Sequence, residues 1–170
     1  MNASRKLEFY CSLKSSFTKE SYLNLVKTYT DRANLTRLRI SAHRLEIEMG
    51  RRNKIPRTER VCHWCKTALG TKTVENESHF ISDCDLNAKS RRKVHQKILN
   101  VLAASSLLNQ PMHILTLTNP NCGITSELSG ESQCHVSRII ARFVTQCLNQ
   151  RKKFKDSITN ANTQNPSTSS

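Results

Sequence analysis

Residues 61–84 read VCHWCKTALGTKTVENESHFISDC, and within them Cys62-x2-Cys65-x13-His79-x4-Cys84 sets three thiols and one imidazole on a short length of chain. Zinc takes four N or S ligands in a tetrahedron. A Cys-x2-Cys turn aims two sulfurs at one point, and an intervening loop brings round the second pair. The expectation is one structural Zn2+ held by Cys62, Cys65, His79 and Cys84. Four protein ligands leave no open position for water or substrate, which is the arrangement of a structural ion and not of a catalytic one. Gly70, flanked by Thr71 and Lys72, signals a turn between the ligand pairs, as in a knuckle or short hairpin. Trp64 is expected to cover the site in preference to offering a stacking face, Phe80 and Ile81 to anchor the motif in the core, and His63 to point away from the ligands.

Upstream, Tyr22, Leu25, Val26 and Tyr29 fall at helical spacing within 16–29, with Thr18 as N-cap. A second helix is expected from about Asp31 to Met49, where Leu35, Leu38, Ala42, Leu45 and Met49 make one stripe, and Gly50 is placed to end it in a left-handed conformation. Downstream, a third helix follows Cys84, with Asp85 or Asn87 near its N-cap and Val94, Ile98, Val101 and Leu102 on one face. Met112–Leu117 reads as one or two helical turns and 118–131 as a loop rich in Asn, Pro, Gly and Ser. The clearest periodic signal comes last: Val136, Ile139, Ile140, Phe143, Val144, Cys147 and Leu148, followed by Arg151, Lys152, Lys153 and Lys155 at the expected helix end. The fold is therefore expected to be mainly α, a small helical domain with a Cys3His zinc knuckle or short hairpin between helices 2 and 3. Residues 1–15 read as an N-terminal extension, 16–155 as the domain, and 156–170 as a disordered polar tail with little to bury.

The chain has 170 residues, 27 Lys+Arg against 13 Asp+Glu, and a net charge of +14, an excess that favours a polyanionic partner, RNA or DNA. The charge concentrates on both sides of the metal motif. Arg37, Arg39, Arg44, Arg51, Arg52, Lys54, Arg57 and Arg60 precede it, and Lys89, Arg91, Arg92, Lys93 and Lys97 follow it; these are the candidate nucleic-acid contacts. A solvated helix face with i to i+4 pairing, as of Arg44 with Glu48, explains the same residues and stays open beside that reading. Seven cysteines, an odd number, and an opening MNASRKLEFYC without an apolar run speak against a secreted disulfide framework. An intracellular location, nuclear or cytoplasmic, with no membrane partner, is expected. Cys11, Cys122, Cys134 and Cys147 lack partners at metal spacing, and Cys147 reads as a core residue.

No catalytic signature emerges. The four glycines form no phosphate loop, no Asp pair marks a two-metal centre, no Glu follows a Cys-His zinc pair as a deaminase needs, and His-Glu-x-x-His is absent. A non-enzymatic protein without a small-molecule substrate is expected.

The run LTRLRISAHRLEIEMGRRNKIPRTERVCHWC, followed by VENESHFISDC, resembles the C-terminal region that follows the reverse transcriptase in proteins of invertebrate non-LTR retrotransposons. Arg39 to His43, Leu45 to Glu48, Gly50, Arg51, Pro56, Cys62, Cys65, Val74 to Glu77, His79, Phe80 and Cys84 carry the likeness, which extends over roughly 5–155. The resemblance implies a zinc-binding-like module that grips RNA or target DNA beside a polymerase. The gap between Cys65 and His79 is longer than that of retroviral knuckles, and the polymerase aspartates and any endonuclease signature are absent. Three readings follow: a nucleic-acid-binding module, a structural or protein-interaction module docked on a reverse transcriptase polypeptide, and a decayed remnant of the element.

Overall fold

The computed structural model describes residues 8–13, 19–104 and 128–164. Seven α-helices lie in these segments: α1 Glu8–Leu13, α2 Tyr22–Leu25, α3 Tyr29–Arg39, α4 Glu46–Arg52, α5 His63–Ala68, α6 Ala88–Ala104 and α7 Gly130–Gln164. The described residues hold no strand, only an isolated antiparallel bridge between Val61 and Val74. The expected mainly helical fold with its Cys/His cluster between the second and third major helices is what forms.

α7 is the spine against which α2, α3 and α6 pack. On α6, Val94, Ile98 and Leu102 recur every fourth residue and are buried. On α7, Val136, Ile140, Phe143, Val144 and Cys147 make the facing stripe. Leu35 and Leu38 of α3, Tyr22, Val26, Leu45, Phe80 and Ile81 complete the same core. Phe80 and Ile81, at 1% and 0% exposure, thus tie the metal motif to the helices as the sequence indicates. Cys147 is buried in this core, and burial raises its thiol to about 12.

Four helix boundaries differ from the sequence reading. The helix expected over 16–29 is helical, among its described residues, only at Tyr22–Leu25 and at Tyr29, which opens α3, because Val26 turns extended, with ψ 101°. The single helix expected from Asp31 to Met49 is two, because residues 40–45 are drawn into polar contacts that a helix would not allow. Ser41 takes a left-handed φ of 51°, and the Leu45 amide donates to His43 Nδ1 at 3.2 Å. Gly50 does not end a helix: it lies inside α4, and the left-handed residue beyond is Lys54, with φ 57°. A methyl group on Gly50 would meet Arg60 Cγ at 2.5 Å, so the glycine is there for close approach. α7 begins at Gly130, where the Ser132 amide donates to Ser129 Oγ at 3.3 Å, and runs to Gln164 instead of stopping near Lys155. Neither Gly nor Pro interrupts residues 156–164, and Thr159 Oγ1 folds back onto the Lys155 carbonyl at 3.0 Å. The N-cap at Thr18, the Met112–Leu117 piece and most of the 118–131 loop fall outside the described residues. Among the described residues, no helix is long and apolar enough to cross a membrane.

Candidate metal centre and its basic surroundings

The two ligand pairs reach one point by different local devices. Cys62 is the residue before α5, so its Cys-x2-Cys turn is the helix's first turn, and the Lys66 amide donates to the Cys62 carbonyl at 3.0 Å. Gly70, at φ 66°, reverses the chain after α5, as the turn signal indicates. The return is fixed by the Cys62 amide on the Thr73 carbonyl at 2.8 Å and the Glu75 amide on the Arg60 carbonyl at 2.9 Å. His79 and Cys84 sit at the two ends of a π-helical turn, His79–Asp83, where the Cys84 amide donates to the His79 carbonyl at 2.8 Å. An x4 gap is the spacing an i to i+5 turn brings into register. Asn76 Oδ1 accepts the His79 amide at 2.8 Å and starts that turn.

The outcome is a buried cluster in which the ligand atoms of Cys62, Cys65, His79 and Cys84 all lie within 4.8 Å of one another. Cys62 Sγ is 3.8 Å from Cys84 Sγ, Cys65 Sγ is 4.0 Å from Cys84 Sγ and 3.4 Å from His79 Nε2. Disulfide sulfurs stand about 2 Å apart, so these are free thiols. Hydrogen bonding from Cys84 pulls the Cys62 thiol down to about 3, while burial and the Cys62 charge push Cys65 up to about 11 and the Cys62 contact raises Cys84 as well. The protein alone supports one thiolate here and resists a second. Such a group of N and S donors could hold a metal ion, whose charge reverses that resistance.

Trp64 packs over the three cysteines and meets Phe154 of α7 edge-on, ring centroids 5.0 Å apart, so it covers the cluster. His63 turns outward to Glu46 Oε1 at 3.5 Å and is not among the ligands. No family model, curated protein or solved structure matches the chain.

The arginines and lysines expected to bind nucleic acid divide by what their side chains touch. Arg39 is fully enclosed, paired with Glu20 at 3.1 Å over the Tyr22 ring. Arg51 holds the buried Glu48 at 2.7 Å, which leaves Arg44 without the Glu48 pairing the sequence offered. Arg60 donates to the carbonyls of Ile55 at 2.9 Å and Ile47 at 3.0 Å, and Arg91 to those of Ile81 at 3.3 Å and Cys84 at 3.2 Å. Arg57 is half-buried. In these five the local structure uses or shields the side chain. Arg37, Arg44, Arg52, Lys54, Lys89, Arg92, Lys93 and Lys97 are exposed.

The residues that hold the motif to the helices were given no such role by sequence reading, although the resemblance runs through Ser41, His43, Glu75 and Glu77. Glu77 is buried and its Oε1 accepts from Ser41 Oγ and His43 Nε2, each at 2.8 Å. Because His43 Nδ1 accepts the Leu45 amide, Nε2 carries the ring proton. Burial alone would raise the Glu77 carboxyl, but the His43 and Ser41 hydrogen bonds outweigh it and set the pKa below the ordinary 4.5. Glu75 receives Arg151 through two bonds of 2.7 Å, and its Oε2 takes the Glu46 amide at the start of α4, also at 2.7 Å. Arg151 continues the α7 stripe one turn past Cys147, which is the signal that could have found it: an arginine on an apolar face calls for a buried carboxylate.

Proposed function

We propose that the protein is a non-catalytic module stapled by one structural Zn2+ that binds nucleic acid through its exposed basic side chains. The observation that carries the reading is the buried Cys3His cluster set between two basic elements. A tetrahedral ion with Zn–S near 2.3 Å and Zn–N near 2.0 Å spaces sulfurs about 3.8 Å apart and sulfur from nitrogen about 3.5 Å. The distances of 3.8, 4.0 and 3.4 Å fit that polyhedron. Its ligands anchor Phe80 and Ile81 in the helical core on one side and Trp64 on α7 on the other. Zinc thereby fixes the 37–54 cations relative to those of α6.

The net charge of +14 supports a polyanionic partner, and the sequence resemblance to the region after a retrotransposon reverse transcriptase supports RNA or target DNA as that partner. Of the cations the sequence offered, the exposed Arg37, Arg44, Arg52, Lys54, Lys89, Arg92, Lys93 and Lys97 remain candidates, since a guanidinium locked on a carbonyl or buried carboxylate has little left to offer a phosphate. Two measurements test the proposal. Elemental analysis of the purified chain should find about one zinc per molecule, lost in Cys62→Ser. Affinity for a labelled oligonucleotide should fall by orders of magnitude between about 50 and 200 mM salt, as counterion release requires for several phosphate contacts. Binding that is flat across that range, or absent, overturns it.

A further inference from the structure

The α3–α7 seam carries a line of cations that the sequence distributes over three separate stretches. At one end Lys27, Arg138 and Arg142 border a groove of about 350 Å³. At the other, Arg37, Arg44 and Lys152 border a groove of about 850 Å³. Between them Asn34 of α3 donates to Thr145 of α7 at 3.2 Å, which locks the two helices side by side. All six cations are exposed. Arg138 donates to the Leu25 carbonyl at 3.3 Å, and none of the six pairs with a carboxylate among the described residues. One carboxylate lies at each end, Asp31 and Asp156. Arg138, Arg142, Asn149 and Lys152 recur at three-, four- and seven-residue intervals and so share one face of α7. From Arg138 to Lys152 the helix rises about 21 Å, at 1.5 Å per residue.

We propose that this seam is the track on which the nucleic acid lies, so that the main contact surface is α3 and α7 and not α6. The inference rests on the nucleic-acid reading above and locates it. A row of cations about 21 Å long matches a repeating polyanion, whereas a single small anion calls for cations converging on one point. Neither groove is lined by Phe, Tyr or Trp, the His43 ring in the second is buried and held by Glu77, and Trp64 is committed to Phe154, so the track offers phosphate contacts without base stacking. Binding along it is sequence-tolerant, and four of its cations, Lys27, Arg138, Arg142 and Lys152, stand far in sequence from the metal motif.

The test compares two triple variants of the full zinc-loaded chain, Arg138→Gln/Arg142→Gln/Lys152→Gln on the seam and Lys89→Gln/Arg92→Gln/Lys93→Gln on α6. Each is titrated with a labelled duplex and single strand of about 20 nucleotides across salt, with circular dichroism and zinc content confirming the fold. The seam triple should lower the slope of log K against log salt by about 2 to 3, nearly one per lost phosphate contact, and the α6 triple should lower it by less than 1. If the α6 triple lowers the slope and the seam triple does not, the track is overturned while nucleic-acid binding stands. If the unsubstituted chain shows no salt-dependent binding, both readings fall. Poly-glutamate bound as tightly as the oligonucleotide, with the same loss in the seam triple, overturns the track in favour of an acidic protein surface.

Discussion

Between Arg57 and Asn87 the longest helix has six residues, and the groups taken out of water include three thiols, an imidazole and two carboxylates. α6 and α7 run 17 and 35 residues and bury Val, Ile, Leu and Phe in facing stripes. The two regions therefore depend on different physics. Apolar stripes stabilise in proportion to area and tolerate small shifts, while a ligand cluster and a buried carboxylate work only with every partner in place. The joints between them, Phe80 and Ile81 in the helical core, Trp64 on Phe154 and Arg151 on Glu75 and Glu46, decide whether the protein unfolds as one unit or two.

On the zinc reading proposed above, loss of the metal should break the comparison most. Structural zinc supplies on the order of 10 kcal/mol of folding free energy in small zinc peptides, far more than any one side chain. In Cys65→Ser, or under a strong chelator, amide exchange should accelerate across 60–87 while 94–102 and 136–147 keep their protection. Equal loss in both regions would show that the helices have no stability of their own. Phe143→Ala comes next, with an expected cost of about 3–5 kcal/mol in urea unfolding, because the ring is 1% exposed at the centre of the shared core. Its zinc content should stay at one per chain under native conditions; a drop would mean the knuckle cannot form without the spine.

Gly50→Ala is smaller, about 1–3 kcal/mol by the same unfolding assay, since the added methyl must displace Arg60 from two carbonyls. Combined with Arg60→Ala it should cost less than the sum of the two single changes, because the clash partner is gone; strict additivity would refute the close approach. The smallest effect concerns Glu77→Gln. A carboxyl whose folded pKa lies below 4.5 contributes stability that is whole above that value and is lost as pH falls through the folded pKa. The stability gap between the parent and Glu77→Gln at saturating zinc should be largest near neutral pH and shrink below about pH 4. A gap constant down to pH 3 would mean that the carboxylate charge contributes nothing.

Periodicity made α6 and α7 legible because an apolar stripe at 3.6-residue spacing is written in neighbouring positions. It misled at residues 40–45, where Leu38, Ala42 and Leu45 keep the spacing but Ser41 and His43 are claimed by Glu77, more than thirty residues away. It also stopped α7 too early, since Arg151–Lys155 looks like a charged helix end, whereas Arg151 is an inward-facing member of the stripe that meets the buried Glu75 and the half-buried Glu46.

What the sequence determined by itself is the Cys3His cluster and the main helices: Cys-x2-Cys and His-x4-Cys are local spacings, and local spacings follow from turn geometry. The tertiary structure decided which charges are free. A run of arginines fixes the net charge, but whether Arg39 meets solvent or Glu20, and whether Arg60 faces a phosphate or the Ile47 carbonyl, depends on groups that only folding brings within 3 Å or so. The same holds for the seam, where Lys27, Arg37, Arg142 and Lys152 become neighbours only because α3 lies along α7.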